Sequence, residues 1–298
     1  MSVAKYYPFS AERGRLRLGL SAIGFAEWIQ YEEDFADRII EKEKLIEENG
    51  KQVLDAMPDS LFVQQELLNV VLENIHLHHA SRFNIAGNKV TSKKNNKSYI
   101  ISDYENNPLE LVSYLVADDY CVLEEDGKDY KLVAASVCAP TWWTLAEKIG
   151  KPLANIHAPI AGLEEKIGRM IWHFLQNLKV EDCYQRSNWF LFTRPDLCVF
   201  PYSFDMYEDM ASINIENIED RLYLRSERQT FRRLENTKAI AFGIKVYVEP
   251  ISVIRKHPAI AKDLLTALNT LTTEQKQALG VSFVEKPLEN YLQQSLQG

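Results

Sequence analysis

The sequence is poor in cysteine and glycine, and neither residue is arranged in a known cofactor motif. No two of the four cysteines form a C-x-x-C pair, which is the usual ligand spacing of zinc and iron–sulfur sites. The 12 glycines form neither a GxGxxG nor a GxxxxGK[ST] loop, so NAD and ATP are not expected to bind in their usual ways. We interpret Cys121, Cys138, Cys183 and Cys198 as buried, reduced thiols.

Two further absences narrow the function. The chain has a formal net charge of -8, and it contains no basic stripe large enough to drive counterion release from a polyphosphate, so we expect no nucleic-acid partner. No stretch approaches the ~20 apolar residues that span a bilayer, and residues 1–20 lack the apolar run of a signal peptide. The sequence therefore predicts a soluble, cytoplasmic protein without a membrane segment.

The first third of the chain shows helical periodicity. Apolar residues recur at helical spacing over 25–48 and 61–75, and we predict amphipathic helices there. The stretch 84–98 is rich in Lys, Asn and Ser and predicts an exposed loop, which is the best candidate for a domain boundary.

The middle of the chain changes to a strand pattern. Asp126-Gly127 lies between two strand-like runs and supplies the positive φ angles of a tight hairpin turn. Helices and three more strands are predicted to follow. The predicted helices cover 144–155 and a segment after Pro159, and the predicted strands cover 184–192, 222–234 and 239–248. This is the layout of a PAS domain, so we predict an α+β fold with a PAS-like five-stranded antiparallel sheet and helices over one face.

The C-terminal stretch again predicts helices. The first of two begins near Pro258, and the second is opened by Thr272 and Gln275, which have the pattern of a capping box. We therefore divide the chain into an N-terminal helical extension (1–95), a PAS-like core (96–250) and a C-terminal helical segment (251–298).

Few of the six histidines are good candidates for a metal ligand. His76, His78 and His79 lie close together, but no Cys, Asp or Glu follows to complete a ligand set, so we interpret them as a solvated helix end. His157 lies on a short connection between two predicted helices, where Pro159 restricts the preceding residue to extended geometry. From the pattern alone, a single histidine among apolar residues is more often a core residue than a ligand.

The predicted strand over 222–234 carries many charges. Strand alternation places Arg225 and Glu227 on one face and Arg228 on the other. Either this strand is a solvated edge with cross-strand ion pairs, or it forms a polarised wall for a small ligand.

Several aromatic residues and one further cation lie near these strands in the predicted fold. Arg186 and Trp189 share the preceding strand. Trp142 and Trp143, after the hairpin, either stack on a flat cofactor or fill the core.

Three strings in the sequence resemble the haem-dependent oxidative N-demethylase family. They are KIGKPLANIHAP at 148–159, RSNW at 186–189 and RSERQTFRRL at 225–234, and Leu18-Gly19-Leu20, Trp28 and Lys44 add to the likeness. The likeness extends over nearly the whole chain.

The resemblance implies a haem b bound between the sheet and the helices, with His157 as the iron ligand. Trp142, Trp143 and Trp189 are then the candidate cofactor contacts. A single histidine ligand leaves the opposite coordination position open for O2.

The resemblance also implies an activity, the oxidative removal of a methyl group from a small secondary amine such as dimethylamine, as formaldehyde. Electrons would come from a separate NADPH-dependent reductase that carries FMN and an iron–sulfur centre, and this agrees with the missing cysteine and glycine motifs. Arg186, Arg225 or Arg228 is the candidate donor to O2, and Glu227 is the candidate residue to hold or deprotonate the amine.

Two other functions remain open from the sequence. One is a haem-binding PAS-type sensor of gas or redox state, although no output domain is visible in the sequence. The other is a haem-free binding protein of the same family.

Overall fold

The main feature of the fold is an antiparallel sheet of seven strands, accompanied by a smaller sheet of three. The computed structural model describes residues 9, 19–127, 129–157, 164–201 and 205–297, and the side chains at 157 and 164–167 lie outside this description. The mixture of helices and an antiparallel sheet agrees with the α+β prediction.

The main sheet has the strand order β1-β8-β9-β10-β6-β7-β2, with strands numbered along the chain. The strands in this order are β1 (Ser21–Ile23), β8 (Cys183–Phe192), β9 (Tyr223–Arg233), β10 (Ile240–Pro250), β6 (Asp119–Asp126), β7 (Asp129–Ser136) and β2 (Leu54–Ala56). The five inner strands are the five predicted from the sequence. Gly127 has a φ of +66° in the β6–β7 turn, so the predicted hairpin is confirmed.

The prediction of a five-stranded sheet is wrong at both edges. β1 and β2 each add one strand, and both come from the segment predicted to be a helical extension. Each has only three residues, which is too short to show the alternation that identifies a strand in a sequence. The predicted division into three segments at 95 and 250 stays a prediction.

Helices pack on both faces of the main sheet, so the prediction of helices over one face is wrong. The helices are α1 (Phe25–Trp28), α2 (Phe35–Asn49), α3 (Leu61–His78), α4 (Pro108–Leu115), α5 (Leu153–His157), α6 (Glu164–Asn177), α7 (Met206–Ala211), α8 (Ile218–Arg221), α9 (Pro258–Leu268), α10 (Thr273–Ala278) and α11 (Val281–Gln297). The N-terminal helices α1 to α4 share one apolar core with the sheet, and the C-terminal helices α9 and α11 share another with β8 and β9.

The opposite side of the sheet packs against α5 and α6, and we call it the α6 face. Leu175 of α6 is buried in one cluster with Leu123 of β6, Leu132 of β7 and Ile240 of β10. Ile156 of α5 is half-buried against the same cluster. The burial of these apolar side chains fixes α5 and α6 over the centre of the sheet.

The polar stretch at 84–98 is not the exposed loop that its composition predicts. It forms most of the three-stranded sheet, whose strands are β3 (Phe83–Ala86), β4 (Lys89–Ser92) and β5 (Ser98–Ile100). One apolar residue in each strand, Phe83, Val90 or Tyr99, is buried against the N-terminal helices. The surrounding lysines and asparagines hide this sparse apolar pattern.

Two helical predictions also need correction. The predicted helix over 144–155 is broken into a short 3-10 turn at Leu145–Glu147 and α5, because Gly150 adopts a φ of +75° and Pro152 lacks a backbone donor. The capping box of Thr272 and Gln275 is confirmed. A third C-terminal helix, α11, was not predicted.

Candidate functional site

Strands β8 and β9 bring four polar side chains together on the α6 face. Glu227 pairs with Asn188 across the two strands, and Gln229 pairs with Arg186. Residues at alternate positions of a strand share a face, so Arg225 lies on this side as well. The sequence prediction that Arg225 and Glu227 share one face and that Arg228 lies on the other agrees with the strand register.

Glu227 is the acidic residue at the centre of this group. Gln229 donates a hydrogen bond from Nε2 to Glu227 Oε2 at 2.7 Å. Burial raises the pKa of the Glu227 carboxyl, although hydrogen bonds from Gln229 and Asn188 and the charges of Arg225 and Arg186 oppose this rise. Glu227 is therefore a stronger base than a glutamate in water.

Like Arg225, Arg186 has a guanidinium with one unpartnered nitrogen. Its Nε atom is buried and has no hydrogen-bond partner in the described part of the chain. Burial lowers the pKa of Arg186, and the negative charge of Glu227 partly offsets this. A buried donor without an acceptor costs free energy, and the Nε atom of this half-buried residue is such a donor.

A half-buried aromatic cluster adjoins the polar group on the α6 face. The rings of Phe231 in β9 and Phe242 in β10 stack with their centroids 4.8 Å apart. Phe174 of α6 meets Phe231 edge-on at 5.4 Å and Tyr184 of β8 at 5.5 Å. Ile244 of β10 is also only partly buried against this cluster. The result is an apolar surface next to a polar one.

Trp143 and Lys148 lie on the same side of the sheet. Trp143 packs against the cluster under the α6 face, and Lys148 places its Nζ atom 4.0 Å from the centroid of the Trp143 ring. Burial lowers the pKa of Lys148, while Cys121, Glu147 and Glu227 raise it. Sequence reasoning missed Lys148, and its place in the KIGKPLANIHAP string was the available signal.

Arg225 is fully buried, and the terminal nitrogens of its guanidinium are bonded to backbone carbonyls, although its Nε has no partner among the described residues. It donates to the carbonyl oxygens of Asp196, Leu197 and Ala139. Burial lowers the pKa of Arg225 to about 10. These contacts tie β9 to the chain before and after the α6-face helices, which indicates a structural role.

Arg228 is also fully buried, but on the opposite face of the sheet. Its guanidinium donates to Oε1 of Gln185 at 2.9 Å and to the carbonyl oxygens of Trp28 and Glu27. Its Nη1 atom lies 4.0 Å from a carboxylate oxygen of Asp118, which is itself fully buried. Arg228 therefore joins the sheet to α1 and lies away from Glu227.

The structure separates the three predicted tryptophans. Trp189 is buried in the C-terminal core on the face opposite Glu227, where Phe9 meets it edge-on at 5.1 Å. Trp142 is half-buried, has a φ of +62° and donates its backbone N–H to Val199. Only Trp143 belongs to the cluster under the α6 face.

His157 is the last residue of α5. The preceding residue, Ile156, packs against the cluster under the α6 face, so the backbone at His157 lies on the same side of the sheet as Glu227 and Arg186. The side chain of His157 and residues 158–163 lie outside the described part of the chain. The assignment of His157 as a metal ligand therefore stays a prediction.

The other histidines lie at helix ends or on the surface. His76 and His78 are exposed in the last turn of α3, and His173 is exposed on α6. Among the residues that the structure describes, no group of three or more His, Cys, Asp and Glu side chains is placed to hold a metal ion.

Two findings on the whole chain complete the description of the site. Within the described ranges, no helix has both the length and the apolar character needed to cross a membrane. A family model described as "Haem-dependent oxidative N-demethylase, alpha subunit-like" matches residues 19–286, which include every residue of the site.

Proposed function

Because this chain belongs to the haem-dependent oxidative N-demethylase, alpha subunit-like family, we propose that it binds haem b on the α6 face and demethylates a small secondary amine such as dimethylamine. The observation that carries this proposal is the half-buried aromatic surface beside Glu227 and Arg186, on the side of the sheet where α5 ends at His157. O2 is the proposed oxidant, and a separate NADPH-dependent reductase with FMN and an iron–sulfur centre is the proposed electron donor.

The chemistry of the α6 face fits a haem. A haem is a flat, largely apolar ring with two anionic propionates, and Phe231, Phe242 and Trp143 offer flat apolar surface that is only partly buried. The unpartnered Nε of Arg186 offers a donor to an anion at the edge of this surface. His157 would hold the iron through one imidazole nitrogen.

Haem, when bound, supplies the oxidising chemistry by which the methyl group leaves as formaldehyde. The chain's own contribution begins with Glu227, because an alkylamine, like a lysine head group, is mostly cationic at neutral pH. Glu227 would bind the ammonium group and accept its proton at a carboxylate oxygen, and its raised pKa favours this transfer. Gln229 and Asn188 hold the carboxyl in place.

The apolar residues around this carboxyl have a second role in the proposal. Phe231, Phe242 and Ile244 would contact the methyl groups of the amine and keep water away from Glu227. Of the three arginines considered from the sequence, we assign Arg186 to this ligand-binding surface. Arg225 and Arg228 are bonded to backbone carbonyls, and we assign them to the framework.

We also propose that the core of the fold is a PAS-like domain. It is supported by the chain order of a hairpin (β6 and β7), helices (α5 and α6) and three strands (β8, β9 and β10) within one antiparallel sheet.

The test of this proposal is an absorbance titration of the purified protein with haem. We expect a Soret band in the wild type, a lost or strongly altered band in His157→Ala, and an unchanged band in the control His173→Ala, whose side chain is exposed on α6. An unchanged spectrum for His157→Ala together with a changed one for His173→Ala would move the ligand to His173.

Turnover is measured separately as formaldehyde release from dimethylamine with a surrogate reductant. Release of formaldehyde that depends on haem supports the enzyme. A protein that binds haem and O2 but releases no formaldehyde from any small amine contradicts the enzyme and favours a sensor. A wild-type protein with no Soret band contradicts both haem functions and favours a haem-free binding protein.

A further inference from the structure

Arg186 is half-buried on β8, beside the aromatic surface of the α6 face. Its Nε is buried and has no acceptor in the described part of the chain. On the neighbouring strand, Arg225 also has an unpartnered Nε, but its terminal nitrogens donate to three carbonyl oxygens. Arg228 donates to two carbonyl oxygens and to Gln185. A buried donor without an acceptor is destabilising, so the Nε of Arg186, beside the aromatic surface, calls for an acceptor that the described residues do not provide.

Glu227 is the charged neighbour of Arg186, but it does not supply the missing hydrogen bond. The two residues are diagonal neighbours on adjacent strands, since Arg186 pairs with Gln229 and Asn188 pairs with Glu227. The Glu227 carboxyl already accepts from Gln229 at 2.7 Å. The charge of Glu227 reaches Arg186 through space only, which leaves the donor of Arg186 available to a ligand.

We infer that Arg186 binds a carboxylate of a ligand on the α6 face. The planar guanidinium fork matches the geometry of a carboxylate, and Lys148 adds a second positive charge on this side of the sheet. This inference rests on the proposed function, which offers two sources for the carboxylate. One source is a propionate of the haem, and the other is the substrate itself.

If the carboxylate comes from the substrate, the substrate class becomes narrower. Arg186 and Glu227 present opposite charges at diagonal positions on one face of the sheet, and diagonal neighbours on adjacent strands lie roughly 7–8 Å apart at their backbones. A small zwitterion, with an ammonium for Glu227 and a carboxylate for Arg186, matches this arrangement. The corresponding substrate class is an N-methylated amino acid, for which N-methylglycine is the simplest probe.

The first arm of the test separates the haem source from the substrate source. Haem b and haem dimethyl ester are titrated into the haem-free wild type, Arg186→Gln, Arg186→Lys and the control Arg82→Gln, which removes an exposed arginine outside the main sheet. If a propionate is the ligand, Arg186→Gln weakens haem binding about tenfold and leaves binding of the ester unchanged. Arg186→Lys then retains part of the affinity, because it keeps the charge but loses the fork.

The second arm measures N-methylglycine and dimethylamine by calorimetry in the same four proteins, with and without haem. If the substrate supplies the carboxylate, Arg186→Gln weakens N-methylglycine binding about tenfold. It does not weaken dimethylamine binding, because it removes a positive charge near the site of a cation. Circular dichroism shows whether each variant is folded. If Arg186→Gln does not fold, the affinities of Arg186→Lys are compared with those of the wild type instead.

The inference is overturned if the Arg186 variants stay within about threefold of the wild type, a difference of less than ~0.7 kcal/mol, for both haem and N-methylglycine. A wild type that binds no haem contradicts the proposed function instead. In that case calorimetry of N-methylglycine on the haem-free chain still decides the role of Arg186.

Discussion

Replacing Arg228 by Met tests whether this residue belongs to the framework of the fold. The substitution keeps an unbranched side chain but removes the guanidinium, which is fully buried and bonded to Gln185 and to the carbonyls of Trp28 and Glu27. It also removes one of the cations near the buried Asp118 carboxylate, the one whose Nη1 lies at 4.0 Å, while Lys245 and Lys42 remain.

The expected cost follows from these contacts. Breaking a buried charge pair by removing one partner costs about 3–5 kcal/mol, because the remaining charge is left uncompensated. This is a large part of the roughly 5–15 kcal/mol by which a domain is usually stable. We therefore expect Arg228→Met to lose about 3–5 kcal/mol in its free energy of unfolding.

The loss should depend on pH. Burial raises the pKa of Asp118, while the charges of Lys245, Arg228 and Lys42 lower it, so removal of Arg228 raises this pKa further. An acid whose pKa is raised in the folded state loses stability as pH increases through its folded value. The difference between Arg228→Met and wild type should thus grow as pH rises above the unfolded aspartate pKa of about 3.9.

Urea denaturation followed by circular dichroism measures these free energies. The exposed residue Arg82 provides the control, and Arg82→Met should stay within about 0.5 kcal/mol of wild type. Adding Asp118→Asn to Arg228→Met should recover part of the loss, with a coupling energy of about 0.5–3 kcal/mol. A loss below about 1 kcal/mol for Arg228→Met, or full additivity with Asp118→Asn, would refute the framework role.

Three further substitutions probe other parts of the fold. Burial alone would raise the pKa of Glu66, but hydrogen bonds from the β9–β10 turn lower it overall. Glu66→Gln should therefore lower the free energy of unfolding by about 1–3 kcal/mol at neutral pH, and by less as pH falls below the unfolded pKa of about 4.3. A loss of stability that is the same at every pH in urea titrations contradicts this. Burial raises the pKa of Glu227, so the stability of wild type relative to Glu227→Gln should fall as pH rises above the unfolded glutamate pKa of about 4.3. Melting temperatures of the two proteins measure this difference, and parallel pH profiles are the contrary outcome. Gly280 has a φ of +72°, and a Cβ there would lie 2.8 Å from the carbonyl oxygen of Leu191. Gly280→Ala should therefore lower the free energy of unfolding by about 1–3 kcal/mol, which is more than Gly87→Ala, because Gly87 has a φ of +56° but open space around it. Equal losses in denaturation would show that the close approach to Leu191 is unimportant.

The sequence by itself determined the inner part of the sheet and the family. The two-residue alternation of β9 follows from strand geometry, and it correctly divided Arg225 and Glu227 from Arg228 between the two faces. The Asp126-Gly127 turn and the Thr272 capping box depend on residues close in sequence, so both were readable without a structure. These are local features.

Only the tertiary structure decided which arginines of the sheet donate to backbone carbonyls. Arg225 receives a carbonyl acceptor from Ala139, 86 residues away in the sequence. Arg228 is bonded to Trp28, 200 residues away, and no pattern around either arginine records these partners. The composition of a strand states how many charges it carries, but the fold determines which of them are bonded to distant backbone atoms. Here the Nε atoms of Arg186 and Arg225 are both left without a partner among the described residues.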